Sequence, residues 1–226
     1  MCGRFTLVAD ADAVADEFGI DEIQYNYDPR YNVAPAQTIA VVTQQDGQRV
    51  LSGFRWGLVP RWAKDVKIGY KMINARAETL DEKPSYRGLL AGNRILIPAD
   101  GFYEWKQEED GKQPYRFQLR DKSIYGYAGL YDVWKSPEGE WMHSCTIITT
   151  QPNGLVKQVH DRMPVILKRE TAEAWLDPAN REVPELLELL KPYPAEEMLS
   201  YPVSRAIGNV KNIDPSLIAE VPLNSK

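Results

Sequence analysis

Sulfur and imidazole are scarce in this chain. Its 226 residues hold two cysteines, Cys2 and Cys145, and two histidines, His143 and His160. Cysteines set so far apart make a poor disulfide framework, and the lack of a Cys/His cluster argues against a zinc site or any other metal centre. Long apolar runs are also missing. None approaches the ~18 residues of a membrane span, and no basic, apolar leader opens the chain, so the expectation is a cytoplasmic protein without a membrane partner. Positive charge is not in excess either: the formal net charge of -5 argues against coating nucleic acid by bulk charge. Nothing in the pattern asks for a cofactor.

What remains is an ordinary globular composition, 43% hydrophobic and 26% charged, with length enough for one sizeable core. The organisation points the same way. After the short strand "RFTLV", Asp10 is placed to cap a helix whose Ala11, Val14, Ala15 and Phe18 recur at helical spacing, with Gly19 as its stop. "DEIQYNYDPRYNVAPAQ" reads as an ordered loop. Two β-rich runs around Asp46-Gly47, and two more around Asp110-Gly111, are hairpin signals. Further strands follow in "SIYGYAGLYDVW" and "WMHSCTIITT", where Cys145 reads as core. Helices return in "KRETAEAWLD" and "VPELLELLK", with Leu186, Leu187 and Leu190 as a core stripe. One α+β domain follows, a curled antiparallel sheet flanked by helices.

The first residues raise a chemical question. The chain opens "MCGRFTL", and a small residue after the initiator favours its removal, which would leave Cys2 at the N-terminus. A terminal cysteine is a 1,2-aminothiol, whose amine (pKa about 8) and thiol (about 8.5) are both partly in the attacking form at neutral pH. The amine condenses with an aldehyde to an imine, and the thiol closes on that imine to a thiazolidine. The same terminus also suits amide hydrolysis, with the amine as base for the thiol. A small buried cysteine at the start of the chain is the plain alternative.

Four other stretches are dense in chemistry. In "INARAET", Asn74, Arg76 and Glu78 share one face if the run is a strand, forming a polar platform able to hold a phosphate. In "PADGFYEW", Glu104 is the ionisable group among Phe102, Tyr103 and Trp105, surroundings that raise a carboxyl toward neutrality and suit it to giving and taking protons. "VHDRMPV" sets His160 beside Asp161 and Arg162, whereas His143 reads as structural. "YNVAPAQ" places Asn32 and Pro35 in a rigid loop. Between Arg55 and Arg76, Arg55, Arg61, Lys64, Lys67, Lys71 and Arg76 alternate with Trp56, Trp62 and Tyr70, a mixture suited to a single-strand groove, or to a solvated loop anchored by tryptophan.

Together and in order, "MCGRF", "RYNVAPAQ", "RWGLVPRWA", "INARAET", "IPADGFYEW", "HDRMPVIL" and "PVSRAIGNVKN" resemble the signature blocks of the SRAP (SOS response-associated peptidase) family. The blocks span residues 2 to about 212, leaving a C-terminal tail from about 213 to 226. The resemblance implies a single domain of antiparallel, barrel-like sheet, and a protein that joins covalently to abasic sites in single-stranded DNA during the response to DNA damage. It implies that Cys2 captures the ring-opened deoxyribose aldehyde as a thiazolidine, Asn74 orients the sugar, Glu104 shuttles protons and His160 assists ring opening. It further implies that Arg4, Arg76 and Arg162 contact phosphates while Pro35 and Trp62 offer surfaces to flanking bases. The expected partner is single-stranded DNA with an abasic site, ss/ds junctions included, bound by a monomer. A thiol peptidase with Cys2 as nucleophile and a noncovalent single-strand binder are the alternatives. Trp62 is followed by Ala63 where some relatives carry a second tryptophan, so one stacking surface is absent.

Overall fold

Two sheets carry the fold of residues 2–222, the part of the chain described by this computed structural model. The first runs in the order β14 (Met198–Pro202), β9 (Gly111–Leu119), β8 (Gly101–Glu108), β1 (Phe5–Leu7) and β3 (Arg30–Val33). The second runs β12 (Met163–Pro164), β11 (Trp141–Thr150), β10 (Tyr125–Lys135), β7 (Arg94–Ala99), β4 (Thr38–Gln45), β5 (Gln48–Trp56) and β2 (Glu22–Ile23). In addition β13 (Ile166–Leu167) lies on β10, and β6 (Asn74–Arg76) lies on β11. β5 turns back to pair in parallel with β11, Ser144 opposite Arg55 and Cys145 opposite Trp56. The ring β11–β10–β7–β4–β5 is thereby closed into a five-stranded barrel, which leaves those strands no free edge.

Phe5 joins the two sheets. From β1 in the first sheet its ring meets Trp56 at 5.3 Å and Tyr127 at 5.8 Å, both edge to face. All three residues are buried, and burial of each such ring contributes about 1.5–3 kcal/mol. The residues just before Phe5 are therefore held at the seam between sheet and barrel. Three helices flank the strands: α1 (Ala11–Phe18), α2 (Arg169–Leu176) and α3 (Val183–Glu188). Asp10 accepts from the Ala13 N–H at 2.8 Å, and Gly19 at φ 60 ends α1 in the left-handed cap that glycine tolerates. Leu186 and Leu190 are buried and Leu187 half-buried, as the stripe requires.

Several expectations need correction. The polar stretch 21–37 is not all loop: β2 and β3 lie within it as short strands beside β5 and β1, a pairing supplied by distant partners and invisible to local composition. The hairpin at Asp46-Gly47 is as expected, with Gln45 opposite Gln48 and both turn residues at positive φ. In the next hairpin Glu108 opposes Gly111, so the turn is Glu109-Asp110 and the signal is off by one residue. "INARAET" is strand only through Arg76; Ala77–Thr79 winds into a 3-10 turn, which takes Glu78 off the platform. Trp56 is core and no part of a groove. Within the segment expected as a tail, Leu217 is buried with Tyr103, Val203 and Ile207, while most of its other described residues are exposed. The removal of Met1, like positions 223–226, lies outside the described residues.

Candidate active site

Backbone pairing delivers Cys2 to Glu104. Phe5 opposes Phe102 and Thr6 opposes Gly101, and the Tyr103 N–H donates to the Arg4 carbonyl at 3.0 Å. That bond carries the ladder one step further toward the N-terminus and sets Cys2 beside the middle of β8. The thiol is buried against Phe5, Trp56, Phe102, Tyr127, Ile147 and Pro164, with Arg4 at the wall. Burial first, and the Glu104 carboxyl second, push the thiol well above its ordinary range.

Glu104 does not face water. It is 2% exposed, and burial raises its carboxyl above the usual range against the opposing pull of Cys2 and His160. His160 Nε2 lies 3.7 Å from Glu104 Oε2. On the other side of the ring, Nδ1 accepts the Arg162 N–H at 3.0 Å and stands 3.1 Å from the Arg162 carbonyl. A neutral ring accepting at Nδ1 carries its proton on Nε2, toward Glu104, while an imidazolium can donate from Nδ1 to that carbonyl. The Arg162 N–H therefore selects the tautomer whose proton points to Glu104, and protonating Nδ1 as well would exchange that bond for one to the carbonyl.

Asn74 lies on the adjoining strand β6. It opposes Ile147 of the Cys2 wall, and its amide nitrogen is 3.5 Å from the Ile147 carbonyl. Asn74 Oδ1 and Glu104 Oε1 are both buried with no hydrogen-bond partner among the described residues. Unpaired buried acceptor oxygens cost free energy in the resting protein and favour a ligand that brings donors.

The cations are arranged unequally. Arg162 is buried and binds Glu78 with two prongs, at 2.7 and 2.8 Å, and the Thr149 carbonyl at 2.7 Å. Thr149 also opposes Arg76, so Arg76, exposed on β6, and Arg162 flank one residue of β11. Arg4 is half-buried at the Cys2 wall and, among the described residues, donates only to its neighbour Gly3. Pro35 is half-buried, in a turn closed by Gln37 N–H to the Ala34 carbonyl at 3.4 Å. Trp62 is 59% exposed, on a loop anchored further along β10 by Arg61 to Asp132 at 2.9 Å and by Trp134 to the Ala63 carbonyl at 2.7 Å. Cys2, Glu104, His160 and Arg4 thus converge, with Arg162 beside His160, Asn74 and Arg76 on the neighbouring strand β6, and Pro35 and Trp62 on outer loops. Sequence reasoning missed Thr149, hidden in a run that reads as core, and the pairing of Glu78 with Arg162.

Known proteins resemble this chain over nearly its whole length. Abasic site processing protein YoqW of Bacillus subtilis is 49% identical over 221 residues, 96% of this chain and 99% of its own. Abasic site processing protein HMCES of Gallus gallus is 36% identical over 229 residues, 87% of this chain and 68% of its own. A crystal structure of a protein from Bacteroides thetaiotaomicron superposes with a TM-score of 0.90 at 31% identity, covering 98% of this chain and 100% of that one. The family model for SOS response associated peptidase (SRAP) matches residues 1–210, and the chain belongs to that family.

Proposed function

We propose that this protein processes abasic sites in DNA by covalent capture. The observation that carries the reading is the meeting of buried Cys2 and Glu104 with half-buried His160, where Glu104 Oε1 is buried without a hydrogen-bond partner among the described residues. With Met1 removed, the Cys2 α-amine adds to the aldehyde carbon of the ring-opened deoxyribose. The carbinolamine loses one water to give an imine. The thiol sulfur then bonds to the imine carbon while its proton passes to the nitrogen, closing a thiazolidine, so aldehyde and aminothiol join with the net loss of one water. Glu104 serves as the proton carrier for the carbinolamine and the thiol, a task matched to a carboxyl raised toward neutrality. His160, facing Glu104, assists opening of the sugar ring, and Asn74 orients the sugar hydroxyls through its free oxygen. Arg4 and Arg76 contact phosphates, Arg162 does so by exchanging its Glu78 partner for one, and Pro35 and Trp62 support flanking bases of a single strand. Sealing the aldehyde blocks the β-elimination that would break the strand.

The geometry gives less support to a thiol peptidase. Both readings use the sulfur as nucleophile, so its raised pKa does not separate them; His160, a base that a peptidase would set on the thiol, is turned to Glu104. The test is a denaturing gel after mixing the protein with a single-stranded oligonucleotide bearing one abasic site. A heat-stable adduct is expected from the wild type. From Cys2→Ser, which keeps the amine, an adduct is expected only after borohydride reduction of the imine. No adduct from protein verified to start at Cys2 would overturn the reading.

A further inference from the structure

Arg55 ties together the two loops that carry the proposed base-stacking surfaces. It lies next to the end of β5, opposite Thr38 of β4 and Ser144 of β11. One terminal nitrogen donates to the Ala36 carbonyl at 2.9 Å, and the guanidinium lies 5.5 Å from the centroid of the Tyr70 ring. Ala36 follows Pro35 in its turn, while Tyr70 ends the same excursion that exposes Trp62. The two residues after Arg55 repeat the tie through the backbone. The Trp56 carbonyl accepts the Ala36 N–H at 2.8 Å. Gly57 packs on Gly69 so closely that a Cβ on either would fall 2.6–2.7 Å from the other's carbonyl oxygen, a crossing that only two glycines allow.

We infer that Arg55, which the sequence groups with the phosphate-tracking cations, is a positioning residue. Its charge is engaged by the Ala36 carbonyl and the Tyr70 ring, and through them it fixes the spacing between Pro35 and Trp62, so that both face one bound strand. This inference rests on the proposed single-strand binding, and it moves one cation from direct contact to support.

The test is fluorescence anisotropy with an undamaged, labelled single-stranded oligonucleotide, titrated at several salt concentrations. Arg55→Ala, and Arg55→Lys, which keeps the charge but loses the flat stack, are each expected to weaken binding about 2- to 5-fold, the size of an exposed cation–ring contact. The slope of log affinity against log salt should stay at the wild-type value. Tyr70→Ala combined with the Arg55 change should cost no more than the larger single effect. A slope reduced by about 0.7 in Arg55→Ala would make Arg55 a direct phosphate contact, and either that, unchanged affinity or additive losses would overturn the inference. If Arg55→Ala does not fold, the Lys variant with Tyr70→Ala decides it. Failure of the wild type itself to bind the oligonucleotide would instead sink the functional reading on which it rests.

Discussion

His160 Nε2 stands 3.7 Å from Glu104 Oε2, a gap slightly too long for a hydrogen bond and closed by a small rotation of either side chain. The imidazole is steadied from behind by the Arg162 backbone, and the carboxyl is buried. A proton placed on either group can therefore reach the other without crossing open water.

Glu104→Gln keeps the shape and removes the proton carrier. Crosslinking is expected to slow about 10²-fold or more, with affinity for undamaged single-stranded DNA unchanged. A gel time course beside an anisotropy titration checks both, and a normal rate would remove Glu104 from the mechanism.

Stability should move the other way at the same position. Because burial raises the Glu104 pKa, the folded chain holds that proton more tightly than the unfolded chain does. The charged carboxyl therefore destabilises the fold increasingly as pH rises above the unfolded value of about 4.3. Glu104→Gln is expected to melt above the wild type at about pH 7 and to lose that advantage near pH 4. Thermal melts across pH decide it; a variant less stable than the wild type at neutral pH would contradict the burial of a costly charge.

Glu78 carries the opposite sign. Hydrogen bonds from Arg162 hold its carboxyl below the ordinary range, so it stabilises the fold above about pH 4.3 and loses that contribution as pH falls through the folded pKa. Its side chain is 40% exposed, and solvent screening limits the gain to under about 1 kcal/mol. Glu78→Gln should melt slightly below the wild type at neutral pH and level with it in strong acid. A gap that widens toward acid would refute the pairing as a stabilising one.

Ala36 is held at φ 70, a left-handed conformation that disfavours a Cβ. Ala36→Gly is expected to stabilise the chain by about 0.5–1 kcal/mol, measured by urea unfolding. Destabilisation would mean that the alanine methyl packs to more advantage than the strain costs.

Trp62→Ala should leave the melting temperature within error, since the ring is mostly exposed, and weaken single-strand binding by about 1–3 kcal/mol if a base stacks there. Equal affinity would take Trp62 out of the binding surface.

Local signals fixed what local forces decide. Asp10 and Gly19 bound α1 as their cap chemistry requires, and Asp46-Gly47 turns the hairpin they mark. The aromatic flanks of Glu104 pointed to a raised carboxyl, which its burial bears out. What depends on distant partners was not legible. Strands β2 and β3 form because other strands are near, Trp56 is interior because the barrel closes across it, and the Arg162 guanidinium is engaged by Glu78, 84 positions away. Cys2, Glu104 and His160 each stood out singly, but their meeting comes from the β1–β8 ladder and from the 160s loop, which no spacing in the sequence announces. The family resemblance, not the residues alone, named that constellation in advance.

The most direct test of covalent capture is the intact mass of the unreduced, heat-treated product formed from a single-stranded abasic oligonucleotide and protein shown to begin at Cys2. The predicted mass is that of protein plus DNA less one water, present with the wild type and absent with Cys2→Ala. A heat-stable adduct that persists in Cys2→Ala, or wild-type protein that binds the oligonucleotide yet yields only the two separate masses, would contradict the account.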